Sequence, residues 1–149
     1  MAFFINEETQ KKISRKITIK DGKNMRHLNL DYRDISMAKA ANLVDSHVEE
    51  VERDEEDERI SFAELAEKKR AWLMDCFIND GVLIGWDVFD KDEHGKKIPV
   101  EITEETVGAL LSRGQIFHPV YKDFMDFCLN LSSGIKVSQV TKERKNSTK

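Results

Sequence analysis

The chain has 149 residues, 40% of them apolar and 35% charged, with a net charge of −4. That length suits one domain, or one domain with a mobile arm, and the mild acidity speaks against a nucleic-acid binder, which needs a basic excess to offset phosphate charge. The apolar runs are far shorter than the 18 residues a membrane span requires, and Met1-Ala2-Phe3-Phe4-Ile5 lacks the basic flank of a signal peptide.

Charge is distributed unevenly. Residues 1–26 hold seven Lys or Arg against three acids, 49–58 hold eight acids and one Arg, and 135–149 hold five Lys or Arg and one acid. Lys16-Ile17-Thr18-Ile19-Lys20 alternates polar and apolar, Asp21-Gly22 supplies a tight turn, and Met25 to Leu30 returns, so the pattern predicts a β-hairpin. From about Ile35, the residues Met37, Ala40, Ala41, Val44, Val48 and Val51 recur at three- and four-residue spacings and predict a helix over 35–52. Like charges crowd the next stretch, so 52–60 is expected to be a solvated helix end or an acidic mobile segment.

Ser61-Phe62-Ala63-Glu64 reads as a capping box that opens a helix over 62–79, whose apolar face is Phe62, Leu65, Ala66, Trp72, Leu73, Cys76 and Phe77. Gly81 is suited to its left-handed cap. Residues 82–89 fit either a short strand or more buried helix, and Ile98-Pro99-Val100 is extended, which leaves room for a short extended pair around 83–100. Thr103 caps a helix over 104–112 with Val107, Leu110 and Leu111 inside. A last helix over 119–132 starts with Pro119 in its first turn and buries Val120, Phe124, Phe127, Cys128 and Leu131. Ser132-Ser133-Gly134 ends it, and the polar, basic tail 135–149 is expected to be disordered.

The resulting expectation is an α+β fold, mainly α-helical: an N-terminal hairpin and about four helices in one globular unit, 1–134. Its core should contain Leu65, Trp72, Leu73, Phe77, Leu110, Leu111, Phe124 and Phe127.

Sites of chemistry are sparse. Asp90, Asp92, Gly95 and Glu101 occupy the first, third, sixth and twelfth positions of a calcium loop, but His94 stands at the fifth and Pro99 lies inside. A plain polar turn is the better reading. His27, His47, His94 and His118 share no ligand spacing with Cys76 and Cys128, and the two thiols sit in apolar segments that read as buried and reduced. The sequence contains no phosphate loop, nucleophile elbow or carboxylate pair in an apolar setting. No catalytic residue, metal ligand or cofactor is therefore assigned, and a binding protein is expected rather than an enzyme.

One stretch carries a resemblance. Leu83-Ile84-Gly85-Trp86-Asp87-Val88-Phe89-Asp90-Lys91-Asp92, then Gly95-Lys96-Lys97-Ile98-Pro99-Val100 and Ile102-Thr103-Glu104-Glu105-Thr106-Val107-Gly108-Ala109-Leu110-Leu111, resembles the tail assembly chaperones of long-tailed bacteriophages. In that family a Gly-Trp, an acidic turn with Gly, a short Pro-containing stretch and a capped helix ending in paired leucines follow in this order. The charged hairpin Arg15 to Leu30 and the closing helix Tyr121 to Leu131 resemble theirs too. The likeness spans about two thirds of the chain, and it consists of turn, cap and core signals rather than chemical groups. It implies a chaperone of the bacterial host's cytoplasm that binds the tape measure protein and keeps it soluble. It further implies recruitment of the major tail protein and absence from the mature virion. Self-association is left open; no nucleic acid or membrane is implied. Phe62, Leu65, Trp72, Phe77 and Trp86 are the apolar side chains assigned to the partner contact. The rival reading is a small phage connector or regulatory module that makes its main contact through the acids of 49–58.

Overall fold

The computed structural model describes the backbone of residues 12–147 and the side chains of residues 12–133. The fold is α+β and mainly helical, as expected. Its elements are β1 (Lys12–Asp21), β2 (Asn24–Arg33), α1 (Met37–Glu56), α2 (Phe62–Met74), β3 (Leu83–Trp86), β4 (Phe89–Lys91), β5 (Lys97–Pro99), α3 (Glu104–Leu111) and α4 (Gly114–Ser147); a π-helical turn, Asp75–Asn79, extends α2. Instead of one unit over 1–134, the chain forms two compact units whose segments alternate in sequence. Among the described residues, the first takes 12–34 and Met74–Pro119; the second takes Ile35–Leu73 and the chain from Val120 onward.

In the first unit the hairpin is longer than its alternation suggested. All ten residues of β1 pair with β2, from Lys12–Arg33 to Asp21–Asn24. Gly22, at φ 62°, gives the two-residue turn its left-handed position. Partners across an antiparallel pair share a face, so Ile17, Leu28, Leu30 and Tyr32 line one side together and are buried. β3 adds antiparallel to β2, making a three-stranded sheet in the order β1-β2-β3. This resolves the two readings of 82–89 in favour of a strand. A bulge between Asp31 and Tyr32 leaves Ile84 out of the pairing.

The π-turn is marked by Asp80 N–H donating to the Asp75 carbonyl at 3.0 Å. Gly81, at φ 64°, then reverses the chain, and Val82 N–H returns to the Cys76 carbonyl at 3.2 Å. Arg33 Nη2 donates to the Asp80 carbonyl, and Arg33 N–H to the Val82 carbonyl at 2.8 Å, fixing this corner to the sheet. Phe77 packs beside Tyr32 with ring centroids 5.9 Å apart. α3 begins as predicted: Thr103 and Thr106 exchange backbone and side-chain bonds in a reciprocal cap, and Val107 and Leu111 are buried.

In the second unit α1 is capped by Ser36, whose Oγ accepts from Lys39 N–H at 3.1 Å. The acidic stretch takes the helix-end form of its two readings. It remains helical through Glu56, and only Asp57 to Ser61 lie outside helices. The physical reason is a set of lysines on α2. Lys68 Nζ lies 2.8 Å from Asp54 and 3.4 Å from Glu50, and Lys69 Nζ lies 3.9 Å from Glu55. These cations offset the repulsion that dense acids would otherwise impose.

α4 also differs from expectation. It begins at Gly114, so Pro119 sits inside it rather than in its first turn. A Pro there removes one backbone bond and crowds the preceding turn. The division between the two units falls immediately after it. Ser132-Ser133-Gly134 does not end the helix, which continues to Ser147. Ser132 Oγ and Ser133 Oγ donate to the Leu129 and Asn130 carbonyls, so both hydroxyls are satisfied inside the helix. The expectation for the tail falls on 135–149, whose side chains and last two residues lie outside the described part.

Candidate interaction surface

Of the five apolar residues assigned to a partner contact, the second unit holds Phe62, Leu65 and Trp72, and the first holds Phe77 and Trp86. Phe62 is 93% exposed and Phe77 is 2% exposed. Leu65, Trp72 and Trp86 are half-buried. Phe77 therefore belongs to the core of its unit and offers a partner nothing unless that unit opens. Leu65, Trp72 and Leu110 do not reach the full burial expected of them.

Each tryptophan spends its indole N–H inside the fold. Trp72 Nε1 donates to the Leu43 carbonyl at 2.8 Å and Trp86 Nε1 to the Val100 carbonyl at 2.7 Å. Trp72 is the centre of an aromatic cluster. The His47 imidazole stacks on it at 4.0 Å with the planes 3° apart, Tyr121 meets it edge-on at 5.7 Å, and Phe124 lies at 5.6 Å. His47 Nε2 and the Tyr121 hydroxyl are 2.8 Å apart and share a hydrogen bond. Burial holds His47 down at about 4, so its ring is neutral near pH 7, and burial pushes the Tyr121 hydroxyl up to about 12. Lys69 Nζ sits 5.6 Å from the Tyr121 ring centre.

The polar atoms of His47 and Tyr121 are turned toward each other inside helix packing, which is the arrangement of a structural pair. Sequence reading missed it, although a signal exists: position 47 follows Val44 by three and precedes Val51 by four, on the inner face of α1. Cys76 and Cys128 are free and buried, as read from their setting, and burial raises the Cys128 thiol to about 12.

The stretch resembling a calcium loop is a tight turn between β4 and β5. Asp92 Oδ1 accepts from His94 N–H at 2.8 Å and Lys96 N–H at 2.9 Å, and Gly95 takes φ 75°. Its carboxylate thus organises the turn's own backbone. Among the described residues, no group of three or more His, Cys, Asp or Glu is placed to hold a metal ion, and no helix is long and apolar enough to cross a membrane.

Exposed apolar side chains are spread over both units. In the first, Met25, Ile84, Phe89 and Ile98 are each about half exposed, and Lys97 Nζ lies over the Phe89 ring at 5.4 Å. In the second, Phe62 is the most exposed, and the exposed Ala66, four residues on, continues its face of α2. Ser61 Oγ accepts from Glu64 N–H at 3.1 Å, so the predicted cap fixes the start of α2 and with it the outward position of the Phe62 ring.

No family model matches this chain, and neither a curated protein nor a solved structure matches it.

Proposed function

We propose that this chain is a binding protein of the phage tail assembly chaperone type. It covers an apolar helical segment of the tape measure protein, keeps that protein soluble in the host cytoplasm, and helps to recruit tail tube subunits around it. It acts by non-covalent binding, without catalysis, and leaves before the particle is finished.

The observation that carries this reading is the Phe62 ring, 93% exposed at the first residue of a capped helix. Removing a phenyl ring from water is worth about 2 kcal/mol, so a partner that covers it gains a central anchor. The ordered resemblance from Arg15 to Leu131 supplies the identity of the partner. A long helical protein with apolar stripes needs temporary cover before its shell exists, which is the physical role the proposal assigns. The rival, a connector or regulatory module acting through its acids, is less favoured because Glu50, Asp54 and Glu55 are already engaged by Lys68 and Lys69 within the helix pair.

The test is co-expression of a candidate tape measure protein with and without this chain, followed by measurement of its soluble fraction and by pull-down. The expected result is a soluble complex only when both are present. Equal solubility without the chain, or stoichiometric recovery of the chain in finished particles, overturns the proposal.

A further inference from the structure

Phe62 sits in an acidic stretch of the chain. Glu56, Glu58 and Glu64 lie within six residues of it, and none of the three holds an ion pair among the described residues. Glu55 and Glu67 are nearby and engaged, by Lys69 at 3.9 Å and Arg70 at 2.9 Å. Arg59 is held by Asp57, with Nε 3.0 Å from Oδ1. The carbonyl end of α1 closes at Glu56 and adds the negative pole of its dipole. The corner therefore carries uncompensated negative charge around an exposed ring. Phe89 contrasts with it: a lysine of its own strand pair already lies over its ring.

The neighbouring surface limits what can dock. Ala66 is exposed one turn on from Phe62 on the same face, and its small side chain admits close approach of another backbone, as where helices pack tightly. A flat acidic surface or an anionic ligand would be repelled. We infer that the corner formed by the end of α1, residues 57–61 and the first turns of α2 is a docking site for an amphipathic helix whose apolar face is bordered by Lys or Arg. The Phe62 ring enters the apolar face, and the bordering cations meet Glu56, Glu58 and Glu64. This rests on the binding-protein reading above and adds the charge class of the segment recognised.

The experiment measures fluorescence anisotropy of a synthetic Leu/Lys amphipathic peptide of about 14 residues, four helical turns, against the full chain. A Leu/Glu peptide of the same pattern serves as comparison. The expected result is binding of the Leu/Lys peptide, at least about tenfold weaker binding of the Leu/Glu peptide, and at least about tenfold loss on Phe62→Ser, mostly through faster dissociation. Neutralising Glu56, Glu58 and Glu64 together to Gln should slow association and flatten its salt dependence. Phe89→Ser should leave binding unchanged.

Equal affinity of the two peptides, or equal affinity of the Phe62→Ser and wild-type chains, overturns the inference. So does a Phe62→Ser chain that melts well below wild type, because the ring would then belong to the fold. If Phe62-dependent peptide binding holds while the chain fails to solubilise the tape measure protein, the docking site stands and the assembly role falls. If the Phe62→Ser chain solubilises that protein as well as wild type, the docking site falls and the assembly role stands.

Discussion

Phe77 and Phe124 are rings buried to 2% and 0% exposure, one in each unit. Replacing either by Ala removes its packing and leaves a cavity that the surroundings fill only in part, so each should cost about 3–5 kcal/mol. Urea unfolding of the two variants measures this; a loss under about 1 kcal/mol would mean that the ring is not packed in solution. His47 gives a prediction in pH. Its ring titrates near 6.5 when unfolded and near 4 in the fold, because burial disfavours the imidazolium. Between those values the unfolded chain binds more protons, so the stabilising contribution is complete above about pH 6.5 and is lost as pH falls toward 4. A His47→Gln chain should lose less stability than wild type between about pH 7 and pH 4.5; equal losses would show that the ring protonates freely in the fold.

At the scale of elements, the strongest local constraint is where β3 crosses β2. Gly85 pairs with Asp31, and a Cβ at Gly85 would meet Asp31 Oδ2 at 2.6 Å and its Cβ at 3.2 Å. Asp31 also accepts from Ser14 Oγ at 2.6 Å, which limits how far it can turn away. Gly85→Ala should therefore destabilise the sheet by about 1–3 kcal/mol, the usual cost of overpacking. Thermal melting tests it, and Gly85→Ala with Asp31→Ala together should recover part of the loss. The Gly-Trp pair was legible in the sequence as a motif, but the reason for its Gly was not, because Asp31 is 54 residues away. Two helix starts were legible: Ser61 and Thr103 cap α2 and α3 where their hydroxyls indicated. The start of α4 was not, because Pro119 signals a first turn on local grounds, while the chain enters the helix earlier, at Gly114.

For the molecule as a whole, the two units take alternating segments of the chain, so a cut in sequence does not separate them. The described buried residues of the second unit end at Ser132. Removal of 135–149 should therefore lower the helical signal in circular dichroism by the residues lost, while the melting temperature changes little. A collapse of the remaining helical signal would show that the end of α4 is required for folding. The docking corner belongs to the second unit and lies at the opposite end of α2 from its π-turn, so the truncation should also leave Leu/Lys peptide binding intact.

The sequence by itself determined what depends on near neighbours. Alternation about Asp21-Gly22 specified the hairpin, three- and four-residue spacing specified α1 and α2, and cap residues specified where α2 and α3 begin. These signals act within a few residues, so they can be read from the chain in order. Tertiary structure decided what depends on distant partners. Lys68 and Lys69 kept the acidic stretch helical, and β3 was drawn into the sheet by β2. His47 met Tyr121 across 74 residues, and Phe77 went inward while Phe62 stayed out. Both phenylalanines lie on one predicted apolar helix face. Which of them is covered depends on the elements packed against that helix, and no local spacing encodes those elements.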